Sequence, residues 1–350
     1  MIPGPPGDAE SSMSPGGVPK MRHASCSPAD VSVGCAYIGT KTGGASSMFT
    51  GLIPAMVTPF DQRGEVDLAA TEAVIERFIA ADVDGISVLG STGEFSHLTM
   101  DERKSFAGET ARIVAGRVPL IVGVGSPGTR ESVELALSAE EAGADGLLVV
   151  APFYWKVGEE ALFRHFAAVV EAVSIPTLIY NLPLLTGVDL SPSLVARVAR
   201  EHPNVTGLKD TVTEYSHTVN VLREVRSVRS DFSVLAGFED QILPSMLAGG
   251  DGSICGLANV APDLFVGLVR SARNRDLTKA AELHKRVLSL TALAALGDTP
   301  LGAVKLAMNV LGVPVSPTVR GPALALPEEA RGEVEAVLSE AGVRVTQEAG

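Results

Sequence analysis

Residues 142–150, Ala-Gly-Ala-Asp-Gly-Leu-Leu-Val-Val, combine the end of a helix with the strand that follows it. The last four residues are apolar at successive positions, which is typical of a parallel strand covered on both faces. The dipeptide Asp145-Gly146 before them recurs before two other apolar runs, as Asp84-Gly85 and Asp251-Gly252. Glycine suits this helix-to-strand turn because the backbone there often needs a positive φ. One structural unit is therefore repeated along the chain.

Eight such apolar runs alternate with longer segments of helical periodicity. Most of them start 26–35 residues after the previous one, and the last starts after 20. Eight strand–helix units in one register predict an α/β fold with a closed (β/α)8 barrel, the TIM barrel, and a doubly wound open sheet is the alternative. The predicted strands are Leu52–Val57, Gly85–Leu89, Leu120–Val124, Gly146–Val150, Thr177–Tyr180, Val205–Lys209, Ser233–Ala236 and Ser253–Cys255.

Helix start signals stand between these runs. Two of them fit the capping-box pattern, in which a hydroxyl residue is followed three positions later by glutamate. Two others place proline in a first helical turn. The four signals are Thr99-x-x-Glu102, Thr211-x-x-Glu214, Ser191-Pro192 and Ala261-Pro262.

The chain is expected to divide into three parts. Residues 1–47 are rich in Pro, Gly and Ser, which prevent helix formation and offer nothing to bury, so they form a disordered tail or precede a true start at Met48. The barrel occupies residues 48–275. An Ala- and Leu-rich helical subdomain follows at 276–350, with helices at 276–295, 300–312 and 327–341 that bury their apolar faces on the barrel or on another subunit.

Composition excludes several classes of partner. The chain has 28 Lys and Arg against 41 Asp and Glu, a formal charge of −13, which disfavours nucleic acid because phosphate contacts need a cationic face. Three scattered cysteines give neither a disulfide framework nor a zinc cluster and indicate a reduced cytoplasm. No apolar run reaches the roughly 18–20 residues of a membrane helix, and the N-terminus lacks a secretion signal. We expect a cytoplasmic protein that binds small molecules and neither nucleic acid nor membranes.

Chemistry in a barrel takes place where the strands end, and Lys209 stands at such an end. Of the eight lysines in the chain, it alone terminates an apolar strand, Val205-Thr-Gly-Leu-Lys209. An amine held against apolar walls loses hydration, which favours the neutral nucleophile that attacks a ketone. The alternative is an ammonium that pairs with Asp210 or reaches solvent.

Two further strand ends offer groups that would assist such a reaction. Tyr180 ends the neighbouring strand at the same level as Lys209, where its phenol could transfer protons. Its alternative is an aromatic residue that closes the core, with its hydroxyl bonded to the backbone. The turn Gly90-Ser91-Thr92-Gly93 offers two N–H groups and two hydroxyls for a carboxylate or phosphate, or is a plain strand-to-helix turn.

Cofactor sites are not indicated. Residues 123–128, Gly-Val-Gly-Ser-Pro-Gly, match a dinucleotide fingerprint, but the next strand ends Val149-Val150-Ala151-Pro152 without the acidic residue that would bind a ribose. The six histidines show no His-Glu-x-x-His and no paired spacing at a strand end. The sequence therefore predicts neither NAD nor a metal.

Three motifs together resemble the dihydrodipicolinate synthase / N-acetylneuraminate lyase family of class I pyruvate aldolases. They are Gly90-Ser-Thr-Gly-Glu94, Tyr180-Asn181-x-Pro183-x-x-Thr186-Gly187 and Gly207-Leu-Lys209-Asp-Thr211, and the similarity runs from Phe49 to about Ala341. Pro152-Phe-Tyr-Trp-Lys156 and Lys209-Asp210-Thr211 look closest to 2-keto-3-deoxygluconate or galactonate aldolases within the family. The resemblance implies no cofactor beyond a covalent imine with the substrate, and a homotetramer built from two tight dimers.

The resemblance also implies a role for each matching residue. Lys209 matches the Schiff-base lysine, Tyr180 the acid/base phenol, and Thr92 the hydroxyl that relays protons to that phenol. Tyr154 matches an aromatic residue that enters the neighbouring subunit's site. Ser91 and Thr92 would bind the substrate carboxylate through their amides, and Ile254 would line the pyruvate pocket.

The expected reaction is reversible aldol cleavage of a 2-keto-3-deoxy sugar acid to pyruvate and an aldehyde. One departure bears on the substrate: Leu185 occupies the position at which dihydrodipicolinate synthases carry an arginine for the carboxylate of the second substrate. Sialic acid lyases also tolerate leucine there. The alternatives are therefore a 4-hydroxy-tetrahydrodipicolinate synthase, an N-acetylneuraminate lyase, or a catalytically silent barrel that binds a metabolite.

Overall fold

The computed structural model describes residues 49–345, and the expectations for residues 1–47 lie outside this range. Within it, eight strands form one sheet in the order β1-β8-β7-β6-β5-β4-β3-β2, and every pair of neighbours is parallel. The strands are β1 (Gly51–Pro54), β2 (Ile86–Val88), β3 (Leu120–Gly123), β4 (Gly146–Val150), β5 (Thr177–Asn181), β6 (Val205–Asp210), β7 (Ser233–Ala236) and β8 (Gly252–Cys255).

The two ends of this strand order meet and close the ring. Ala55, directly after β1, forms a parallel bridge with Ser87 of β2. The Met56 N–H donates to the Ser87 carbonyl at 2.8 Å. The prediction of a closed barrel is therefore confirmed, and the open sheet is wrong. All eight predicted strands are present, with end positions that differ by at most three residues.

Helices follow the strands and cover the outside of the barrel. After α9 the strands stop and the remaining helices, α10 to α12, complete the described chain. The helices are α1 (Leu68–Ala80), α2 (Met100–Val114), α3 (Thr129–Glu141), α4 (Glu159–Val170), α5 (Pro183–Thr186), α6 (Pro192–Glu201), α7 (Tyr215–Val228), α8 (Ile242–Leu247), α9 (Pro262–Arg273), α10 (Leu277–Leu290), α11 (Pro300–Val310) and α12 (Arg331–Glu340).

Three of the four helix start signals are confirmed. Both hydrogen bonds of the Thr99–Glu102 capping box are present, and Pro192 and Pro262 lie in the first turns of α6 and α9. The capping box predicted at Thr211 is wrong. The Thr211 N–H still donates to the Asn181 carbonyl, at 2.9 Å, so the chain continues the β6 ladder and α7 begins only at Tyr215.

The three Asp-Gly dipeptides lie at the amino-terminal rim of the barrel. Each aspartate accepts the backbone N–H of a neighbouring strand, at 2.8, 2.8 and 3.0 Å. Of the three glycines in these dipeptides, only Gly252 has the expected positive φ, at 150°. At Gly146 the reason for glycine is space, because a Cβ there would lie 2.5 Å from the Phe49 ring. The acceptor–donor pairs are Asp84 with Leu52, Asp145 with Leu120 and Asp251 with Val234.

Packing also explains two glycines of the 123–128 stretch. A Cβ on Gly123 would lie 2.1 Å from the Leu89 carbonyl oxygen, and one on Gly125 would lie 2.3 Å from Val150 Cγ1. Side chains at these positions would therefore push β2 and β4 away from β3. Close approach between strands accounts for these residues without a nucleotide.

The barrel interior and the outer layer form two separate hydrophobic clusters. The interior cluster includes Ile53, Leu148, Tyr180, Leu235 and Ile254. The larger outer cluster lies between strands and helices and extends to α10, α11 and α12. Within residues 49–345 no single helix is long and apolar enough to span a membrane. The helical stretches 277–295 and 300–310 reach the length and apolar composition of a membrane span only when they are taken together, and the chain bends by 119° between them.

Candidate active site

Lys209 and Tyr180 lie side by side at the carboxyl-terminal mouth of the barrel. They are partners in the β5–β6 ladder, and only 4% and 3% of their surfaces are exposed. Lys209 Nζ lies 4.2 Å from the centroid of the Tyr180 ring. The structure thus brings together the two residues that the strand ends singled out, because their strands are neighbours at matching register.

No ion pair or hydrogen bond to Lys209 Nζ is present within residues 49–345. The pairing with Asp210 that formed the alternative is not found, since that carboxylate is directed away from the barrel interior. Asn181 Nδ2, Thr218 Oγ1 and His217 Nδ1 contact it at 3.1, 2.7 and 3.0 Å. A buried primary amine without a carboxylate partner at a barrel mouth is placed for attack on a carbonyl carbon.

The Tyr180 hydroxyl lies 3.2 Å from the Ser91 hydroxyl, within hydrogen-bond distance. The resemblance assigned a relay to Thr92, whose hydroxyl lies near the end of β8: a Cβ built on Gly256 would be 3.0 Å from Thr92 Oγ1. The hydroxyl partner of Tyr180 is a side chain and not the backbone. In the described chain, Ser91 therefore holds the contact that was expected of Thr92.

The turn at residues 90–93 presents two free N–H groups to the mouth. The Gly93 and Glu94 N–H groups donate back to the carbonyls of Gly90 and Ser91, each at 3.0 Å. Thr58 Oγ1 donates to the Gly93 carbonyl at 2.6 Å and fixes the turn from outside. The Ser91 and Thr92 N–H groups have no acceptor among residues 49–345. Adjacent free N–H groups of this kind can bind a carboxylate.

The two remaining predicted site residues lie in different surroundings. Ile254 is fully buried in the interior cluster that contains Tyr180. Tyr154 is 86% exposed, has a φ of 79°, and makes an edge contact with the Trp155 ring, at 5.7 Å between centroids. Tyr154 therefore lies on the surface, outside the buried cluster around Lys209.

Glu239 is a polar residue of the mouth that the sequence reasoning missed. It is half-buried three residues beyond β7, and its Oε1 accepts the Leu257 N–H at 2.9 Å. Burial raises the pKa of Glu239, whereas the Leu257 N–H and the positive charge of Lys209 act in the opposite direction. The sequence did offer a signal for Glu239, because it is an acidic residue that closely follows the end of a predicted strand.

Cys255, at the end of β8, is the other nucleophile type near the mouth. Its thiol is buried, and burial followed by the charge of Glu239 raises the pKa of Cys255 far above neutrality. A thiol that stays protonated is a poor nucleophile. Within residues 49–345, no group of three or more His, Cys, Asp or Glu side chains could hold a metal ion.

A buried ion pair fixes the last residue of the Gly90–Glu94 motif to helix α11. Neither Glu94 nor Lys305 has exposed side-chain surface, and Lys305 Nζ lies 2.5 Å from Glu94 Oε1. Lys305 also donates to the Thr318 carbonyl at 2.9 Å, and the Arg320 N–H donates to Glu94 Oε2 at 2.9 Å. Burial lowers the pKa of Lys305 to about 8, although Glu94 acts in the opposite direction.

Known proteins match this chain over most of its length. YjhH of Escherichia coli K12, named a probable 2-dehydro-3-deoxy-D-pentonate aldolase, is 40% identical over 295 residues, 84% of this chain and 98% of that protein. A 4-hydroxy-tetrahydrodipicolinate synthase of Methanoculleus marisnigri is 37% identical over 293 residues, 83% of this chain and 99% of that protein. These relatives differ in the reaction that their names state.

A solved structure agrees with the sequence relatives. The crystal structure of YagE, an E. coli K12 prophage protein of the dihydrodipicolinic acid synthase family in complex with pyruvate, matches with a TM-score of 0.83 at 38% identity. The match covers 85% of this chain and 100% of the YagE chain. Residues 48–341 match the model of the dihydrodipicolinate synthetase family, so this chain is an enzyme that belongs to that family of class I pyruvate lyases.

Proposed function

We propose that the protein catalyses the reversible aldol cleavage of a 2-keto-3-deoxy sugar acid to pyruvate and an aldehyde, through an imine on Lys209. The observation that carries this proposal is the buried Lys209 Nζ, which has no carboxylate partner in the described chain and lies 4.2 Å above the Tyr180 ring. The free N–H groups of Ser91 and Thr92 would bind the substrate carboxylate, and the Ser91 hydroxyl links this turn to Tyr180.

The first stage is formation of the imine. The neutral amine of Lys209 attacks C2 of the keto acid, and the carbonyl oxygen takes up a proton to give a carbinolamine. Loss of that hydroxyl as water leaves a cationic imine between C2 and Nζ. Tyr180, whose ring centroid lies 4.2 Å from Nζ, supplies the phenol for these proton transfers, and the Ser91 hydroxyl 3.2 Å from the phenol oxygen extends the path.

The second stage breaks the carbon–carbon bond. Tyr180 accepts the proton of the C4 hydroxyl, the C3–C4 bond breaks, and its electron pair moves into the imine to give a neutral enamine. The C4 fragment leaves as the aldehyde. Protonation at C3 and hydrolysis of the imine by water then release pyruvate and restore the free amine.

The substrate class rests on the outer part of the mouth. Leu185 on α5 is 65% exposed and offers no guanidinium to a second carboxylate. Glu239 offers acceptor oxygens, which suit the hydroxyls of a sugar acid. The likeness to YjhH, whose name states a deoxy sugar-acid aldolase, points the same way.

Three other functions remain as alternatives. A 4-hydroxy-tetrahydrodipicolinate synthase is favoured by the 37% identity to the Methanoculleus synthase, although Leu185 argues against it. An N-acetylneuraminate lyase would use the same imine. A silent, metabolite-binding barrel is disfavoured because Lys209, Tyr180 and the free N–H groups are found together.

A substrate panel tests the proposal. Pyruvate release would be measured from 2-keto-3-deoxygluconate, 2-keto-3-deoxygalactonate and N-acetylneuraminate, and pyruvate consumption would be measured with aspartate semialdehyde. We expect the highest kcat/KM with a deoxy sugar acid. A higher value with N-acetylneuraminate or with aspartate semialdehyde would replace the proposal by the corresponding alternative.

Replacing Tyr180 with phenylalanine tests the phenol. We expect Tyr180→Phe to slow turnover by roughly 10²–10⁴, the contribution typical of general acid–base catalysis, with an unchanged fold because only one oxygen is removed. Steady-state kinetics and thermal unfolding would be measured together. A variant with wild-type kcat would contradict the acid/base role.

Ser91→Ala and Thr92→Val form the matched comparison for the relay. Because the hydroxyl contact to Tyr180 is made by Ser91, we expect the Ser91 variant to lose more activity than the Thr92 variant. Both variants keep the backbone N–H groups, so the KM for pyruvate should change little. A larger loss of activity in Thr92→Val than in Ser91→Ala would assign the proton relay to Thr92.

We also propose a cytoplasmic homotetramer in which Tyr154 completes the site of a neighbouring subunit. The exposed aromatic pair Tyr154 and Trp155 supports this, because large exposed apolar side chains commonly mark interfaces. Sedimentation velocity would test the assembly, and an active monomer would contradict it.

A further inference from the structure

A buried hydrogen-bond network links the ends of the two strands that carry Tyr180 and Lys209. Asn181 directly follows Tyr180, Asp210 directly follows Lys209, and these two are partners in the β5–β6 ladder. Asn181 Nδ2 donates to Asp210 Oδ1 at 3.1 Å. The side chains behind the catalytic pair are therefore bonded to each other across the strands.

His217 on α7 closes this network into a circuit. Its Nδ1 lies 3.0 Å from Asp210 Oδ2, and its Nε2 lies 2.8 Å from the Leu190 carbonyl oxygen. The Leu190 N–H donates to Asn181 Oδ1 at 3.0 Å, which completes the circuit. We call these four residues, Asn181, Leu190, Asp210 and His217, the His217 circuit.

The circuit specifies the charge of the imidazole. A neutral imidazole has one donor and one acceptor nitrogen, whereas a carbonyl and an ionised carboxylate can only accept. Asp210 already receives Asn181 Nδ2 and Thr218 Oγ1, as an ionised carboxylate does. Both His217 nitrogens must then donate, which requires the imidazolium form.

Surrounding charges favour the same form. Asp210 and Asp189 are the carboxylates that face His217, with Asp189 Oδ1 at 3.5 Å from Nε2. Burial alone would lower the pKa of His217, but the hydrogen bond and charge of Asp210, followed by the Leu190 carbonyl and Asp189, raise the pKa of His217 to about 9. At neutral pH the circuit therefore contains a buried, balanced ion pair.

We propose that His217 is a positioning residue for imine formation: as an imidazolium it holds the end of β6, and with it Lys209, in register with Tyr180 at the end of β5. The residue touches neither substrate nor the reacting atoms and acts through Asp210 and Asn181. This inference rests on the proposed imine chemistry of Lys209. Small displacements of reacting groups are costly, because a shift of 1 Å can reduce a rate by about 10².

The test compares two variants of His217 with a matched histidine. His217→Gln removes the charge and cannot span both acceptors, whereas His217→Arg keeps a cation with several donors. His202 is the control because its side chain is equally buried, at 11% exposure, and pairs with Glu171 at 3.8 Å, but it precedes β6 at the opposite rim. The rate of borohydride-trappable imine formation with pyruvate and the KM for pyruvate would be measured for each folded variant.

We expect His217→Gln to slow imine formation by about 10- to 100-fold with little change in KM, His217→Arg to recover most of the rate, and His202→Gln to match the wild type. A merely structural role would lower the melting temperature without changing the rate of the folded enzyme. A wild-type rate in His217→Gln, or no recovery in His217→Arg, would overturn the inference.

The pH dependence of stability gives a second, independent measurement. A folded-state pKa near 9 lies above the ordinary value of 6.5, so the stabilisation is complete below pH 6.5 and is lost as the pH rises through about 9. The difference in melting temperature between wild type and His217→Gln should therefore shrink from pH 6 to pH 10, and a constant difference would overturn the charged form of His217.

If the wild type forms no imine at all, the proposed function fails and this role of His217 fails with it. If the wild type forms the imine and His217→Gln forms it at the same rate, only the positioning role of His217 fails.

Discussion

Replacing Lys209 with alanine or arginine is expected to reduce turnover by roughly 10⁴–10⁶, the loss seen when a covalent nucleophile is removed. Alanine has no amine, and the arginine guanidinium stays protonated and cannot form an imine. In the wild type, pyruvate with borohydride should inactivate the enzyme irreversibly and add the mass of reduced pyruvate to the peptide that contains Lys209. Peptide mass spectrometry checks the site of attachment.

Lys156 provides the control for this experiment. It is an exposed lysine in the loop after β4. Its side chain passes close to Gly187, since a Cβ added to that glycine would be 3.3 Å from Lys156 Cε. Lys156→Arg should therefore keep both labelling and turnover, while Lys209→Arg loses both. Label on another lysine, or none in the wild type, would contradict the mechanism.

Replacing Lys305 with methionine is expected to destabilise the protein by about 3–5 kcal/mol, because it leaves the carboxylate of Glu94 buried without its partner. Few single substitutions cost as much. Denaturant unfolding of wild type and variant would measure the change in the free energy of unfolding.

Two matched variants separate burial from charge. Lys104 and Glu134 form an ion pair of the same length, 2.5 Å, with side chains 30% and 53% exposed. Lys104→Met should cost at most about 1 kcal/mol, because exposed pairs contribute little. The double variant Glu94→Gln with Lys305→Met should recover part of the loss, since no buried charge remains. Equal losses from Lys104→Met and Lys305→Met would refute the explanation.

The fold was predictable because its signals are local and repeated. Each apolar run, and most of the capping signals that precede the helices, can be identified within about ten residues, and eight repeats leave few topologies. Thr211 shows the limit of this approach. Its spacing to Glu214 fits a capping box, but the ladder bond from its N–H to Asn181 extends the strand past that position. The tertiary hydrogen bond decided the local structure.

The candidate site was predictable where it depended on strand ends alone. Lys209 and Tyr180 could be paired because parallel neighbours end at the same rim. The choice between Ser91 and Thr92 depends on which of two adjacent side chains faces Tyr180, and the turn geometry that sets this has no signature in the residue types. The Glu94–Lys305 pair joins residues 211 positions apart, so its formation depends on how α11 packs against the barrel.

The three aspartates at the amino-terminal rim bear on how this enzyme can diversify. Asp84, Asp145 and Asp251 tie strand beginnings together on the side away from the catalytic mouth. Loops at the mouth can therefore be exchanged for others without loosening these attachments. New substrate preferences are then open to descendants of this chain while the closed sheet is inherited intact.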